Sequence, residues 1–237
     1  MKRNQSGFTL IEIAIVLVII GLLLGGVLKG QELINSAKVK NLAGDFKNIP
    51  IFIYGYQDKF KTLPGDDANS PTHLAGATTC SPLATAGKCE VGNGVIDGNW
   101  NDLGIASESF VFWQHIRLAG LAPGITVIPG TPAHGDGYLP INAAGGEIGI
   151  QSGTAAAAAN AAVKDSSGNA IRGSYIICSS AILGKFAKQL DTTLDDGNTA
   201  TGSMLATPNY TGAPASQAAT ATGSIVDSDS YVVCMGV

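Results

Sequence analysis

The chain has 237 residues, enough for one large domain or a domain with an anchor, and only 14% of them are charged. Its 31 glycines, with abundant alanine, serine and threonine, suit a loop-rich, β-containing exported domain better than a cytosolic helical enzyme. A formal charge of -4 argues against a general nucleic-acid binder, which needs a basic footprint.

A basic leader, MKRNQSG, opens the chain, and an apolar run from Phe8 to Leu28 follows, broken by one acid, Glu12. A bilayer core takes about 20 residues of helix, so the run is of membrane length. Lys2 and Arg3 predict a cytoplasmic N-terminus with the remainder crossing outward. No small-residue A-x-A cleavage signature follows the run, so the segment is expected to be retained rather than removed as a secretory signal. A carboxylate inside such a run costs several kcal/mol unless it is paired. A cut after Gly7 would create the cheapest partner, a free amine on Phe8. It would also leave 12 basic against 18 acidic residues, a charge of about -6.

Ser6-Gly7-Phe8-Thr9-Leu10-Ile11-Glu12 resembles the class III signal of type IV pilins and type II secretion pseudopilins, and the likeness extends over the leader and the whole first helix. The resemblance implies cleavage between Gly7 and Phe8 by a membrane aspartic peptidase, the prepilin peptidase, which also methylates the new amine. Glu12 would then meet the Phe8 amine of a neighbouring pilin subunit. It implies an α+β fold, the pilin-like lollipop: a long N-terminal α-helix packed on an antiparallel β-sheet head with extra short helices and long loops. The divisions are then a leader at 1–7, a transmembrane or filament-core helix at 8–28, the amphipathic half of the same helix at 29–63, and a globular head at 64–237. The partners implied are identical or related subunits, the peptidase and the assembly machinery with its ATPase. The chain would be a single-pass protein of the inner membrane before assembly and part of a periplasmic or extracellular filament afterwards. Local melting of the helix in the filament core is known in the family, and Gly25–Gly30 is where it is expected here once lipid is left behind. The competing reading is a membrane-anchored binding module that never polymerises.

Beyond the run, apolar residues fall at Leu42, Phe46, Ile49, Ile53, Tyr56, Phe60 and Leu63, in alternating steps of 4 and 3. That is one face of a helix, and its bulky aromatics suit packing on a sheet better than a coiled-coil seam. Pro50 lies inside it and is expected to bend rather than end it. Leu63-Pro64-Gly65-Asp66 is the stop signal, giving a helix roughly 80 Å long at 1.5 Å per residue.

Residues 64–105 are rich in turn formers. Gly92–Asp102 concentrates Asn, Asp and Gly, which make tight turns and could also offer hard oxygens to Ca²⁺; turns are the preferred reading. Glu108–Leu121 reads as an amphipathic helix with Ser107 as N-cap and Gly120 near its stop. Gly124–Pro129 and Gly146–Ile150 are candidate strands, and Ala155–Asp165 is left open between helix and loop. Ser174–Cys178 reads as a buried strand and Ser179–Gly197 as a helix with a capping serine. Ser203–Pro208 and Tyr231–Val237 are further strands, the latter reached through a loop over Thr207–Ser230.

Cys80, Cys89, Cys178 and Cys234 form no CxxC pair, and no histidine stands at zinc-ligand spacing from them. An even count in an exported chain reads as two disulfides, with buried free thiols as the competing reading. Of three connectivities, Cys80–Cys89 with Cys178–Cys234 is preferred, because SYIIC and SYVVC look like two similar strands. No cofactor is required. A structural calcium is a candidate at Asp191, Asp195, Asp196 and Asn198, where acids at a helix C-terminus oppose the dipole; the loop only broadly resembles the calcium loop of pseudopilins. No catalytic motif is visible, and His73, His115 and His134 are scattered, so the chain reads as a non-enzyme.

Overall fold

The computed structural model describes residues 10–81, 88–153, 161–210 and 217–237. The chain divides into two compact units, Met1–Lys40 and Asn41–Val237. Helix α1 (Leu10–Phe60) begins in the first and ends in the second. In the first unit it runs unbroken through Gly21, Gly25, Gly26 and Gly30, and nothing lies within 4 Å of where their Cβ atoms would stand. The single chain is thus helical throughout Gly25–Gly30, the stretch expected to melt in a filament core. Each glycine weakens the helix by about 1 kcal/mol, but no competing partner draws its backbone groups away.

In the second unit the same helix becomes amphipathic. Leu42, Phe46, Ile49, Ile53 and Tyr56 are buried, whereas Ile51 and Tyr54 on the other face are exposed. Pro50 sits inside the helix without ending it. Lys61, at φ 61°, stops the helix just beyond Phe60. Gly65 follows at φ 95°, where a Cβ would stand 2.6 Å from the Glu108 carbonyl oxygen, so glycine is required at this crossing. A short helix α2 (Ser70–His73), which the sequence pattern did not announce, comes next.

Helix α3 (Glu108–Leu118) is buried nearly throughout, including Phe110, Trp113 and Ile116. It ends three residues before the expected Leu121 because Gly120 takes φ 76°. Ser107 holds the N-cap position but makes no capping bond; its hydroxyl donates to Asp102 and pairs with Ser109.

The sheet comprises β1 (Ile148–Ser152), β2 (Tyr175–Leu183), β3 (Met204–Pro208) and β4 (Ser230–Gly236), in the order β1-β2-β4-β3 with every neighbour antiparallel. Helix α4 (Gly184–Leu194) follows β2 directly and contacts β2, β3 and β4, while α3 contacts β1. One core of the head gathers Trp100, Val163, Ile171, Ile176, Leu205 and Val232 around Cys178 and Cys234.

Three sequence expectations change. Gly124–Pro129 is not a strand: Gly124 takes φ 132°, Ile125 and Val127 are exposed, and the Ile125 and Thr126 carbonyls accept from the side chains of Arg117 and Gln114. The strand expected over Gly146–Ile150 instead spans Ile148–Ser152. The helix expected from Ser179 starts only at Gly184, because Ser179–Leu183 completes β2. A bulge between Ser179 and Ile182, with Ala181 at φ 55°, keeps Ile182 paired with Tyr231 and buried. Ile182 and Leu183 fit a helical stripe by spacing, but pairing with β4 wins. The open assignment for Ala155–Asp165 falls largely on 154–160, outside the described residues; Ala161, Ala162 and Val163 are buried.

Candidate functional site

The N-terminal half of α1 is apolar, long enough to cross a membrane, and unburied. Leu10 is 92% exposed and Leu22 is 73% exposed, with Ile11, Leu17, Val18 and Leu28 similarly open. So continuous an apolar exposure marks a surface made for lipid or for other protein. Glu12 stands in the first turn, where a negative charge favours the helix N-terminus. Gly7 and Phe8, the expected processing residues, lie outside the described residues.

In the head, the Asn/Asp/Gly segment from Gly92 acts as a cradle of donors. The backbone N–H groups of Gly92, Asn93 and Gly94 all donate to the Asp66 carboxylate, the last at 2.8 Å. Such a loop satisfies an anion from its own chain, which supports the turn reading over a metal one. Burial pushes Asp66 up from the ordinary carboxylate range, and those three N–H groups pull it back in part. Beside it, Glu108 is 0% exposed. Its Oε2 accepts from Asp97 N at 3.0 Å, and its Oε1 has no hydrogen-bond partner. Burial pushes Glu108 up to about 8, with the charges of Asp66 and Asp97 adding to the rise and the Asp97 N–H opposing it. Sequence reasoning passed over both Asp66 and Glu108. The missed signal was Pro64-Gly65-Asp66 placed to receive a glycine-rich loop.

A second polar joint fastens the end of α1. Tyr56 Oη donates to Asp67 Oδ2 at 2.8 Å, and His73 Nδ1 lies 2.7 Å from the same oxygen. Asn69 N donates to Asp67 Oδ1. Burial raises the Asp67 carboxyl, but the bonds from His73, Tyr56 and Asn69 outweigh it and hold the group below its ordinary value. His115, fully buried, accepts from Gly65 N at Nδ1 and stands 3.0 Å from the Thr78 carbonyl at Nε2. Both ring nitrogens are thus engaged by backbone, a packing role. His134, at the surface, pairs with Glu147 at 2.7 Å.

The expected metal residues are brought together in part. Carboxylate oxygens of Asp191, Asp195 and Asp196 all lie within 4.8 Å of one another. Asp195 caps the C-terminal end of α4 and accepts from Ser203 N at 2.7 Å and Met204 N at 2.8 Å. Asp196 accepts from Asn198 N and Thr201 Oγ1. Asn198 instead serves the turn, its amide oxygen accepting from Ala200 N. Asp191 is fully buried, and neither of its oxygens has a hydrogen-bond partner. Burial, then the charges of Asp196 and Asp195, push it up to about 7; the Gly197 amide exerts a weaker opposite pull without reaching hydrogen-bond geometry.

The four cysteines form two disulfides, Cys80–Cys89 and Cys178–Cys234. The second joins directly opposed residues of β2 and β4. Both are at home in an oxidising compartment.

Residues 2–28 match the prokaryotic N-terminal methylation motif, so the chain carries the class III prepilin signal of type IV pilins and pseudopilins. No curated protein and no solved structure matches this chain.

Proposed function

We propose that this chain, carrying a prepilin signal, is a structural subunit of a type IV pilus or pseudopilus-like filament and polymerises through its N-terminal helix. One observation carries the reading: the unburied apolar half of α1, with Glu12 in its first turn, coincides with the methylation motif. Hydrolysis of the Gly7–Phe8 peptide bond would leave Gly7 as a carboxylate and Phe8 as an ammonium. Before assembly the apolar half would lie in the inner membrane, with residues 1–7 as the cytoplasmic leader and 64–237 as the exported head. In the filament, neighbouring helices replace lipid around it. The Phe8 amine of one subunit then pairs with Glu12 of the next and fixes their axial register. The exposed run itself gives adhesion without register, since apolar contact is non-directional.

Replacing the carboxylate with its neutral isostere tests this. Glu12→Gln should leave the membrane-inserted, processed protein at normal levels and reduce sheared surface filaments at least about tenfold, the equivalent of ~1.4 kcal/mol per subunit contact. Normal filament yield from the variant would rule out Glu12 as the register contact. If the wild-type chain never leaves the membrane fraction and is missing from purified filaments, it is a non-polymerising anchored module instead.

A further inference from the structure

We infer that Glu108 is the acid–base partner of the Cys80–Cys89 disulfide, and that this bond, unlike Cys178–Cys234, exchanges with external dithiols and disulfides. The inference concerns the folded head and stands whether or not the chain polymerises.

The first support is position. A carboxylate oxygen of Glu108 and the Sγ atoms of Cys80 and Cys89 all lie within 4.8 Å of one another. Backbone bonds beside each cysteine hold that arrangement. Ser81 N donates to the Ile105 carbonyl at 2.8 Å, and Glu108 N donates to the Lys88 carbonyl at 3.1 Å. The pair is thereby tied to the N-terminal end of α3, whose first residue is Glu108.

The second support is that this acid has a free atom while its neighbours have none to spare. Glu108 is fully buried, and its Oε1 has no hydrogen-bond partner. Asp66 is taken by the N–H groups of Gly92, Asn93 and Gly94. Asp97 accepts from Glu90 N and Asn93 Nδ2, and Asp102 pairs with Lys88 at 2.7 Å. Burial, with the charges of Asp66 and Asp97, keeps the proton on Glu108 at neutral pH against the pull of the Asp97 and Glu90 N–H groups.

The third support is the contrast between the two disulfides. Val91, Val111 and Ile128 pack around Cys80 and Cys89. A thiolate released in such apolar surroundings is costly, and a proton donor beside it removes the cost. Cys178 and Cys234 are 0% exposed among Trp100, Ile176, Leu205 and Val232. Among the described residues, no His, Asp or Glu joins those two sulfurs in a comparable cluster.

The step balances as follows for an external dithiol. One of its thiolates attacks Cys89 Sγ, in the more open residue at 7% exposed against 4% for Cys80. A new S–S bond forms, the Cys80–Cys89 bond breaks, and the electron pair leaves on Cys80 Sγ. Glu108 gives that sulfur its proton and becomes a carboxylate in the first turn of α3, where the helix dipole favours it, until solvent reprotonates it. The second thiol of the dithiol then closes on the first and passes its proton to the departing Cys89. Two electrons have moved from the dithiol to the protein. Run backwards with an external disulfide as oxidant, the same route closes the bond and Glu108 receives the Cys80 proton.

The test uses the full-length chain in detergent. Dithiothreitol should open Cys80–Cys89 before Cys178–Cys234, read by alkylation and peptide mass spectrometry. At pH 7, Glu108→Gln, which keeps the size and the acceptor for Asp97 N, should slow that opening about tenfold or more. Per reagent thiolate, the wild-type rate should be level below pH 7 and fall above pH 8 as Glu108 loses its proton, whereas the variant's should stay level. In denaturing urea the two chains should react alike. Equal native rates at pH 7 would overturn the role of Glu108. A faster variant would overturn it too, by showing that the acid only seals the bond. Prior opening of Cys178–Cys234 would overturn the selectivity, and a difference that persists in urea would place the effect outside the folded site and sink the inference.

Discussion

Two lengths of one helix obey different chemistry. From Leu10 to Leu28, α1 is apolar on all sides and unburied. From Leu42 to Tyr56 it is apolar on one stripe, and that stripe is sealed inside the head. The second length has a partner within its own chain, and the alternating steps of 4 and 3 record that partner. The large apolar side chains described in the first length are exposed, and their lack of pattern is itself the record. A helix hydrophobic all round belongs in lipid or in the middle of other helices. Hydrophobicity measures the wish to leave water; only periodicity states where the destination lies.

The sharpest way to break this comparison is to truncate one large side chain in each length. Phe46→Ala should lower the stability of the head by about 3–5 kcal/mol, because Phe46 is 1% exposed and leaves a cavity. Leu22→Ala should leave the same unfolding transition, measured in detergent, within about 0.5 kcal/mol. Equal losses would show that the first length is also part of a folded core.

A smaller effect is expected where α1 ends. Asp67→Asn keeps the size of the side chain but weakens the bonds from Tyr56 and His73. It should cost about 1–3 kcal/mol. Because the Asp67 carboxyl sits below its ordinary value, the wild-type contribution is present above the unfolded carboxylate range and fades as pH falls through the lower folded value. Denaturation at pH 7 and at pH 3 should thus show a smaller difference between wild type and variant in acid. An unchanged difference would mean that the joint is not held by charge.

A pH effect of the opposite sign is expected at Glu108. Glu108 is pushed up to about 8, well above its unfolded value. Between those two values the native state holds a proton that the unfolded state releases, so stability falls as pH rises through the window. Glu108→Gln retains an acceptor for Asp97 N and removes that dependence. It should raise stability at pH 8 and change little at pH 4. A destabilised variant at pH 8 would show that the charged form is compensated in the head.

The parts of the fold that could be read in advance are those fixed by spacing over many residues. The stripe on α1, the strand at SYIIC and the closing strand at SYVVC need only a period and a boundary. The N-terminal signal was legible because a methylation motif packs charge, glycine and apolar run into a few positions. The boundary between β2 and α4 was not, because Ile182 and Leu183 satisfy a helical and an extended pattern equally. The tie was broken by Tyr231, 49 residues further on in sequence and directly opposite in space. Asp66 and Glu108 were hidden for a related reason: an acid's role depends on who donates to it, and the donors of Asp66 come from Gly92–Gly94. The acids around the C-terminal end of α4 were visible as a cluster, but only burial singled out Asp191 among them.

The disulfide between β2 and β4 has a mechanical consequence. Cys178 and Cys234 enclose 56 residues of separation, and that loop contains α4, the three acids and β3. Under tension applied at the two ends of the chain, everything inside the loop is bypassed by a single covalent shortcut. At 3.3–3.6 Å per extended residue, roughly 190 Å of slack is withheld from a pulled subunit until the bond is reduced. A thread built from such units would yield elsewhere first, and the C-terminal quarter of each would stay closed under load.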